Sequence, residues 1–179
     1  MKNPITRFTA GILFFFGLVL LPLVVNAANP ATINVTVTIQ NLSVSATGPL
    51  AFGTVVASST TVSTDSSHVV NDGNVAETYA IKLTNPGGWT ATASAPGSET
   101  YRLGAQFNSG QPTALSFDAD TYLTTSDQTC SATIFAGDQT GLSVAASATR
   151  YLWLKFEAPT STSVTSEQTI VVTITASAA

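Results

Sequence analysis

The clearest structural signal in this chain is residues 31–40, which read Ala31-Thr32-Ile33-Asn34-Val35-Thr36-Val37-Thr38-Ile39-Gln40. Apolar side chains occupy every second position. Side chains alternate between the two faces of a strand, whereas a helix repeats every 3.6 residues, so this period of two predicts a β-strand. After Asn41 the apolar set moves by one position, which predicts a bulge or a crossing between sheets. The shifted set is Leu42, Val44 and Ala46.

Upstream of this stretch, the chain has the pattern of a secretory signal peptide. A basic start precedes residues 8–25, which hold no charge, and Val25-Asn26-Ala27 supplies small residues for cleavage. We therefore expect a leader over residues 1–27 and an exported mature chain over residues 28–179. An uncleaved leader is the alternative, because the apolar run reaches the lower limit for a membrane-spanning helix. We expect the cell surface or the medium, with the periplasm as the alternative compartment.

Composition predicts an all-β mature chain. Charged residues make up 9% of the sequence, against roughly 25% in a typical domain. Ser, Thr, Asn and Gln supply the polarity instead, and Thr together with Val suits pleated strands. The mature part keeps four basic residues against all ten acidic ones, a net charge of −6. Such a surface repels phosphate backbones, so we expect no nucleic-acid partner.

Further segments alternate in the same way and are separated by turn signals. In residues 149–157, Leu152, Leu154 and Phe156 are the predicted inward set. Eight to nine strands at this spacing, without a convincing helix, predict one β-sandwich or barrel over residues 28–179. The remaining predicted strands are residues 50–55, 67–71, 77–84, 89–93, 101–107, 130–135 and 169–175, and residues 108–120 are predicted to form a long loop.

Four short motifs resemble landmarks of bacterial Ig-like sandwich domains, the Phe-Gly-x-Val, Asn-x-Gly and Gly-Trp patterns. They span about forty residues: Phe52-Gly53-Thr54-Val55, Val70-Asn71-Asp72-Gly73-Asn74, Tyr79-Ala80-Ile81-Lys82-Leu83 and Gly88-Trp89-Thr90. The resemblance implies an Ig-like fold of the kind that recurs in secreted and surface proteins. The layout of a leader followed by one sandwich is also similar to that of secreted fibre subunits of the TasA and camelysin type.

Residues that catalysis or metal binding requires are scarce. The chain holds one histidine, His68, and one cysteine, Cys130. A nucleophile with its base and orienting group, or a zinc site of the usual ligands, cannot be assembled from these two. We therefore predict no catalytic residues, no cofactor and no metal, and no enzymatic activity. Asp118, Asp120 and Asp138 lie in predicted loops, where a calcium site is the alternative to solvated carboxylates.

Association is the first functional hypothesis. Residues 31–39 carry neither charge nor proline, which are the devices that usually protect exposed strands from pairing. We expect this strand to pair with a neighbour's sheet, which would make the chain a fibre or surface-layer subunit that binds itself or other surface proteins. That the strand completes its own domain is the alternative. The side chains that would specify the partner are Ile33, Val35, Val37 and Ile39.

Two further features carry binding alternatives. Tyr151 and Trp153 share one face of a predicted strand and could form a platform for a polysaccharide. The competing interpretation is that a loop such as residues 108–120 covers Trp153, because a strand that is apolar on both faces usually lies centrally in its sheet. Cys130 has no partner for a disulfide within the chain, so it is predicted to be a buried thiol or, alternatively, a bridge to a second chain.

Overall fold

The computed structural model describes residues 32–179, so the leader predicted for residues 1–27 lies outside the described residues. Residues 38–179 form one compact unit. This unit is all-β, with nine strands in two sheets, an arrangement compatible with the predicted sandwich. Among the described residues, no helix is long and apolar enough to cross a membrane.

The larger sheet has six strands. Five of them follow the order β1 (Val44–Ala46), β3 (Ser67–Asn71), β8 (Thr149–Glu157), β6 (Thr100–Phe107) and β5 (Thr90–Ala91). The sixth, β2 (Thr60–Val62), pairs with the C-terminal part of β8. Since β3 and β2 cover one edge of β8 and β6 covers the other, β8 is central, which explains why it is apolar on both faces.

The smaller sheet has three antiparallel strands. They lie in the order β7 (Gln128–Thr129), β4 (Glu77–Thr84) and β9 (Val171–Ala178). All eight residues of β9 pair with β4, from Val171 opposite Thr84 to Ala178 opposite Glu77. The other side of β9 is therefore an edge of this sheet.

The core lies where the inward faces of the two sheets meet. In β4 the alternating set Tyr79, Ile81 and Leu83 is at most 1% exposed, as its spacing predicts. The predicted inward set of β8, Leu152, Leu154 and Phe156, is also buried and is confirmed. The inward side chains of β9 pack against this core but are only half-buried. The sandwich is therefore less completely closed beside β9.

Three predicted strands do not form. Residues 32–40 lie in no strand, residues 50–55 are irregular, and residues 130–135 form bends and turns. Gly53 at φ +65 and Phe135 at φ 57 leave the extended conformation that a strand requires. The predicted loop over residues 108–120 does form; it contains the short 3₁₀ turn Ala114–Ser116, and a second one, Ala119–Thr121, begins at its end. Apolar spacing thus indicated partial burial at positions such as Phe52, which pairs with no strand among residues 32–179.

Candidate assembly site

The segment with the strongest strand pattern is exposed. Residues 32–40, the arm, lie in no strand. A single exposed apolar side chain is ordinary, but an alternating row of them is a contiguous stripe of the kind that marks interaction sites. The four side chains of the stripe are those predicted to specify a partner, and their exposed fractions are 86% for Ile33, 80% for Val35, 81% for Val37 and 81% for Ile39.

The end of the arm is fixed by one residue, Asn74, through its side-chain amide and its backbone. Asn74 Oδ1 accepts a hydrogen bond from the N–H of Asn41 at 2.8 Å, and Asn74 Nδ2 donates to the carbonyl of Ile39 at 2.8 Å. The backbone N–H of Asn74 also donates to the carbonyl of Asn41 at 3.1 Å. Residues 39–41 are therefore held to the turn between β3 and β4, where the chain enters the two-sheet domain.

The turn that holds the arm is itself tightly built. Asn71 is fully buried, and its Oδ1 accepts from the N–H of Gly73 at 2.8 Å. Gly73 is so closely surrounded that a Cβ there would stand 2.5 Å from the carbonyl oxygen of Asn41, the residue after the arm, and 2.5 Å from Oε1 of Glu77. Only glycine allows this approach. The same Glu77 oxygen accepts from the N–H of Ser43 at 2.7 Å, which extends the attachment along the chain.

The free edge of β9 follows from the hydrogen bonds of β4. Tyr79 donates its N–H to Gly141 and accepts from the N–H of Cys130, so its backbone groups face away from β9. Its neighbour Ala80 therefore faces β9, where it lies opposite Thr175. Because these directions alternate along antiparallel strands, every second residue of β9 faces outward. The outward-facing residues are Val172, Ile174 and Ala176, whose backbone groups make no hydrogen bond within the described chain.

An apolar groove of about 930 Å³ lies beside this edge, between the two sheets. Its walls include Val172 and Ile174 of β9 and Phe156 of β8. The ring of Phe156 lies 5.9 Å from that of Trp89, in a stacked arrangement, and 5.6 Å from that of Phe52. The irregular residues 47–55 and the polar residues 165–169 complete the walls. The groove therefore has an apolar interior and a partly polar rim.

The two aromatic residues proposed as a sugar platform do not present open faces. Trp153 is only 9% exposed, and its Nε1 donates to the carbonyl of Asn108 at 2.9 Å. Tyr151 is half-buried, and its ring centroid lies 4.8 Å from that of His68 in an edge-on contact. Asn108 begins the predicted covering loop, and stacking on a sugar requires an accessible ring face. These positions do not favour the glycan-binding alternative.

Cys130 is buried, with 2% of its surface exposed. Desolvation raises the pKa of its thiol to about 12, although backbone hydrogen bonds at Cys130 and Gly141 act in the opposite direction. A thiol in this state is a weak nucleophile at neutral pH. The buried thiol that the sequence predicts is therefore present, and the alternative of a bridge to a second chain has still to be tested.

A buried charge cluster lies on the larger sheet. Arg102 donates through Nε and Nη2 to Glu157 Oε2 at 2.8 and 2.5 Å, and Lys155 Nζ lies 2.9 Å from Glu157 Oε1. The Arg102 guanidinium also lies 4.0 Å from the centre of the Tyr122 ring. Burial by itself would raise the pKa of Glu157, but hydrogen bonds and charge from Lys155 and Arg102 hold it below its usual value. Two cations thus share one carboxylate, so removal of Glu157 would leave both of them without their counter-charge.

The loop carboxylates do not converge on one point. Asp118 accepts from the backbone N–H of Asp120, whereas Asp138 accepts from the backbone and hydroxyl of Ser109. Across residues 32–179, no group of three or more His, Cys, Asp or Glu side chains is placed to hold a metal ion.

Comparison with known proteins adds no relative: no family model, curated protein or solved structure matches this chain. The residues that sequence reasoning missed are those whose role depends on distant partners. The sequence singles out Asn74 only as the last residue of the Val70–Asn74 motif. The edge of β9 and the groove beside it had no local signal, because a strand's outer neighbour is not encoded in the strand itself.

Proposed function

We propose that this chain is an exported, non-catalytic subunit of a cell-surface layer or extracellular fibre, and that an Ig-like domain associates with its neighbours through the arm. The observation that carries the proposal is the exposed stripe of Ile33, Val35, Val37 and Ile39 in a segment that lies in no strand. Addition of the arm to a neighbour's sheet would pair its backbone groups and bury the stripe together.

The chemistry of the arm supports this role. Each Val or Ile side chain moved out of water contributes about 1.5–3 kcal/mol. Residues 31–39 carry no charge and no proline to oppose strand pairing. The predicted leader adds a second support, since cleavage after residue 27 would leave the arm close to a new N-terminus. Export would then release the segment that assembly uses.

The test compares the exported, mature protein with two double variants. One carries Val35→Asp and Val37→Asp on the apolar face of the arm. The matched control carries Asn34→Asp and Thr36→Asp, which place the same charges on the other face of the same segment. Sedimentation velocity and negative-stain electron microscopy over a concentration series measure assembly.

We expect the wild-type protein and the control to form elongated assemblies. The apolar-face variant should need a concentration at least about 100-fold higher, because it loses two contacts of at least 1.5 kcal/mol each. A wild-type protein that stays monomeric throughout the series contradicts the proposal. So does an apolar-face variant that assembles as readily as the wild type.

A further inference from the structure

We propose that the acceptor for the arm is the free edge of β9 together with the groove beside it, and that the occupant is the arm of a second copy of this chain. This inference rests on the proposed function and names the partner surface of the same association. It follows from four properties of β9: its backbone groups, its length, its neighbouring groove and its lack of charge.

Backbone pairing is the first property. The N–H and C=O groups of Val172, Ile174 and Ala176 face outward and make no hydrogen bond within the described chain. An exposed row of this kind is a template for a further strand. The strand β1 approaches β9 across the gap between the sheets, but no backbone hydrogen bond joins the two within residues 32–179. The edge can therefore accept a strand without displacing an existing ladder.

Length separates β9 from the other edges. Among the described strands at sheet edges, β1 and β2 have three residues, and β5 and β7 have two. β9 has eight residues, or about 26 Å at 3.3 Å per residue. The predicted donor, residues 31–39, has nine. Of these edges, only β9 offers a ladder long enough to use the whole apolar stripe of the arm.

The groove supplies the place for the side chains. In a strand paired with β9, alternate side chains would point to the same side as Val172 and Ile174, towards the groove. The stripe of the arm has this spacing, and the groove walls at Phe156 and Trp89 are apolar. The inward residues of β9 are only half-buried, so an added strand would complete their cover.

Charge and residue type also match. Residues 31–40 and residues 170–178 contain no charged side chain and are rich in Thr, Val and Ile. Pairing them brings no like charges together in a protein that is otherwise acidic, and it places β-branched side chains opposite one another, which favours sheet pairing. A second copy of this chain supplies such a strand without any other partner.

The proposed contact joins two different parts of the subunit, which bears on the symmetry of the assembly. Donor and acceptor are different surfaces, residues 31–39 and the edge of β9. Two copies that exchange arms reciprocally would form a closed two-fold dimer, whereas an arm passed on to a third copy makes the contact head-to-tail. Such contacts give open filaments unless the rotation between subunits closes a ring. One arm and one edge in every copy are enough for indefinite growth.

The test uses two variants. One has an edge of β9 that cannot accept an arm, and the other has an arm that cannot pair with a neighbour's β9. Val172→Lys places a positive charge in the groove and should prevent the arm of a second copy from binding there. Thr175→Lys is its control, because Thr175 is exposed and its backbone groups face β4. The donor-deficient protein is the variant with Val35→Asp and Val37→Asp. Sedimentation velocity is measured for each protein alone and for an equal mixture of the two deficient proteins.

We expect Val172→Lys to weaken assembly at least about tenfold and Thr175→Lys to assemble like the wild type. At a concentration at which the wild type assembles and each deficient protein alone stays monomeric, their mixture should form a one-to-one dimer. Failure of the mixture to dimerise would show that the arm does not join two copies in this way and would overturn the inference. If the arm variant is monomeric while Val172→Lys assembles normally, the inference is wrong and the proposed function stands.

A second measurement needs no variant and covers the case in which Val172→Lys does not fold. Residue-resolved hydrogen exchange is recorded on wild-type protein before and after assembly. The amides of Val172 and Ile174 should gain at least about tenfold protection, while those of Thr173 and Thr175, already paired with β4, should change little. Equal exchange at Val172 and Ile174 in both states would overturn the inference.

Discussion

Asn74 holds the backbone of Asn41 through two hydrogen bonds. Asn74 Oδ1 accepts from the N–H of Asn41 at 2.8 Å, and the backbone N–H of Asn74 donates to the carbonyl of Asn41 at 3.1 Å. The two residues are 33 positions apart in sequence. The same side chain donates to the carbonyl of Ile39, the last member of the apolar stripe. The position at which the arm leaves the domain is therefore set by one residue, through its side-chain amide and its backbone N–H.

Removal of this amide should loosen the root of the arm. We expect Asn74→Ala to lower the free energy of unfolding by about 1 kcal/mol, since it deletes two partly solvated hydrogen bonds. The amide of Asn41 should exchange faster with solvent, and assembly should weaken because the arm is less pre-organised. Urea denaturation and hydrogen exchange measure these effects. Asp72→Ala is the control, because the Asp72 side chain is exposed and makes no hydrogen bond within the described residues. Unchanged exchange at Asn41 would refute the prediction.

The charge cluster predicts a pH-dependent contribution to stability. The folded state holds the pKa of Glu157 below its ordinary value of 4.5. The ionised Glu157 carboxylate therefore contributes fully to folding stability above pH 4.5, and this contribution is lost as the pH falls through the lower pKa of the folded state. Glu157→Gln should lower the free energy of unfolding by about 3 kcal/mol at pH 7, because Arg102 and Lys155 lose their counter-charge. The difference from wild type should shrink in acid.

Urea denaturation at pH 7 and at pH 3 checks this prediction. Glu167→Gln serves as the control, since it makes the same chemical change at an exposed side chain. An equal loss of stability at both pH values for Glu157→Gln would argue against the ionic origin of the effect.

Burial of Cys130 predicts low thiol reactivity in the folded protein. A pKa of about 12, against an ordinary value of 9.0, reduces the thiolate fraction near pH 8 by roughly three orders of magnitude. A thiol-specific chromogenic reagent should therefore react slowly with the native protein and rapidly after unfolding in urea. Native assemblies should also run as monomers on a non-reducing denaturing gel. A covalent dimer on that gel would instead support the bridge between chains.

Local patterns predicted the elements in which burial and strand pairing coincide. In β4 and β8, alternating apolar residues point to the core and hydrogen-bonded strands lie on both sides. The spacing of Tyr79, Ile81 and Leu83, or of Leu152, Leu154 and Phe156, therefore reports both properties together. The apolar content on both faces of β8 also indicated its central place and the cover over Trp153.

The same patterns failed where a buried side chain lies outside any strand, or where an alternating segment has no strand beside it. Phe52 packs against Phe156 from an irregular segment, and Phe135 is fully buried at a backbone angle that no strand allows. In the arm the reverse holds, since a strand pattern is present without a partner strand. Apolar periodicity records which side chains avoid water, but it does not record which backbone lies alongside.

The amino-acid sequence alone determined the all-β class, the inward faces of the central strands and the apolar stripe of the arm, because each depends on residues close together along the chain. Only the tertiary structure decided that Asn74 anchors Asn41, that Arg102 meets Glu157 across 55 positions, and that β9 has a free edge beside a groove. These relationships join residues that only the folded backbone brings within hydrogen-bonding or packing distance.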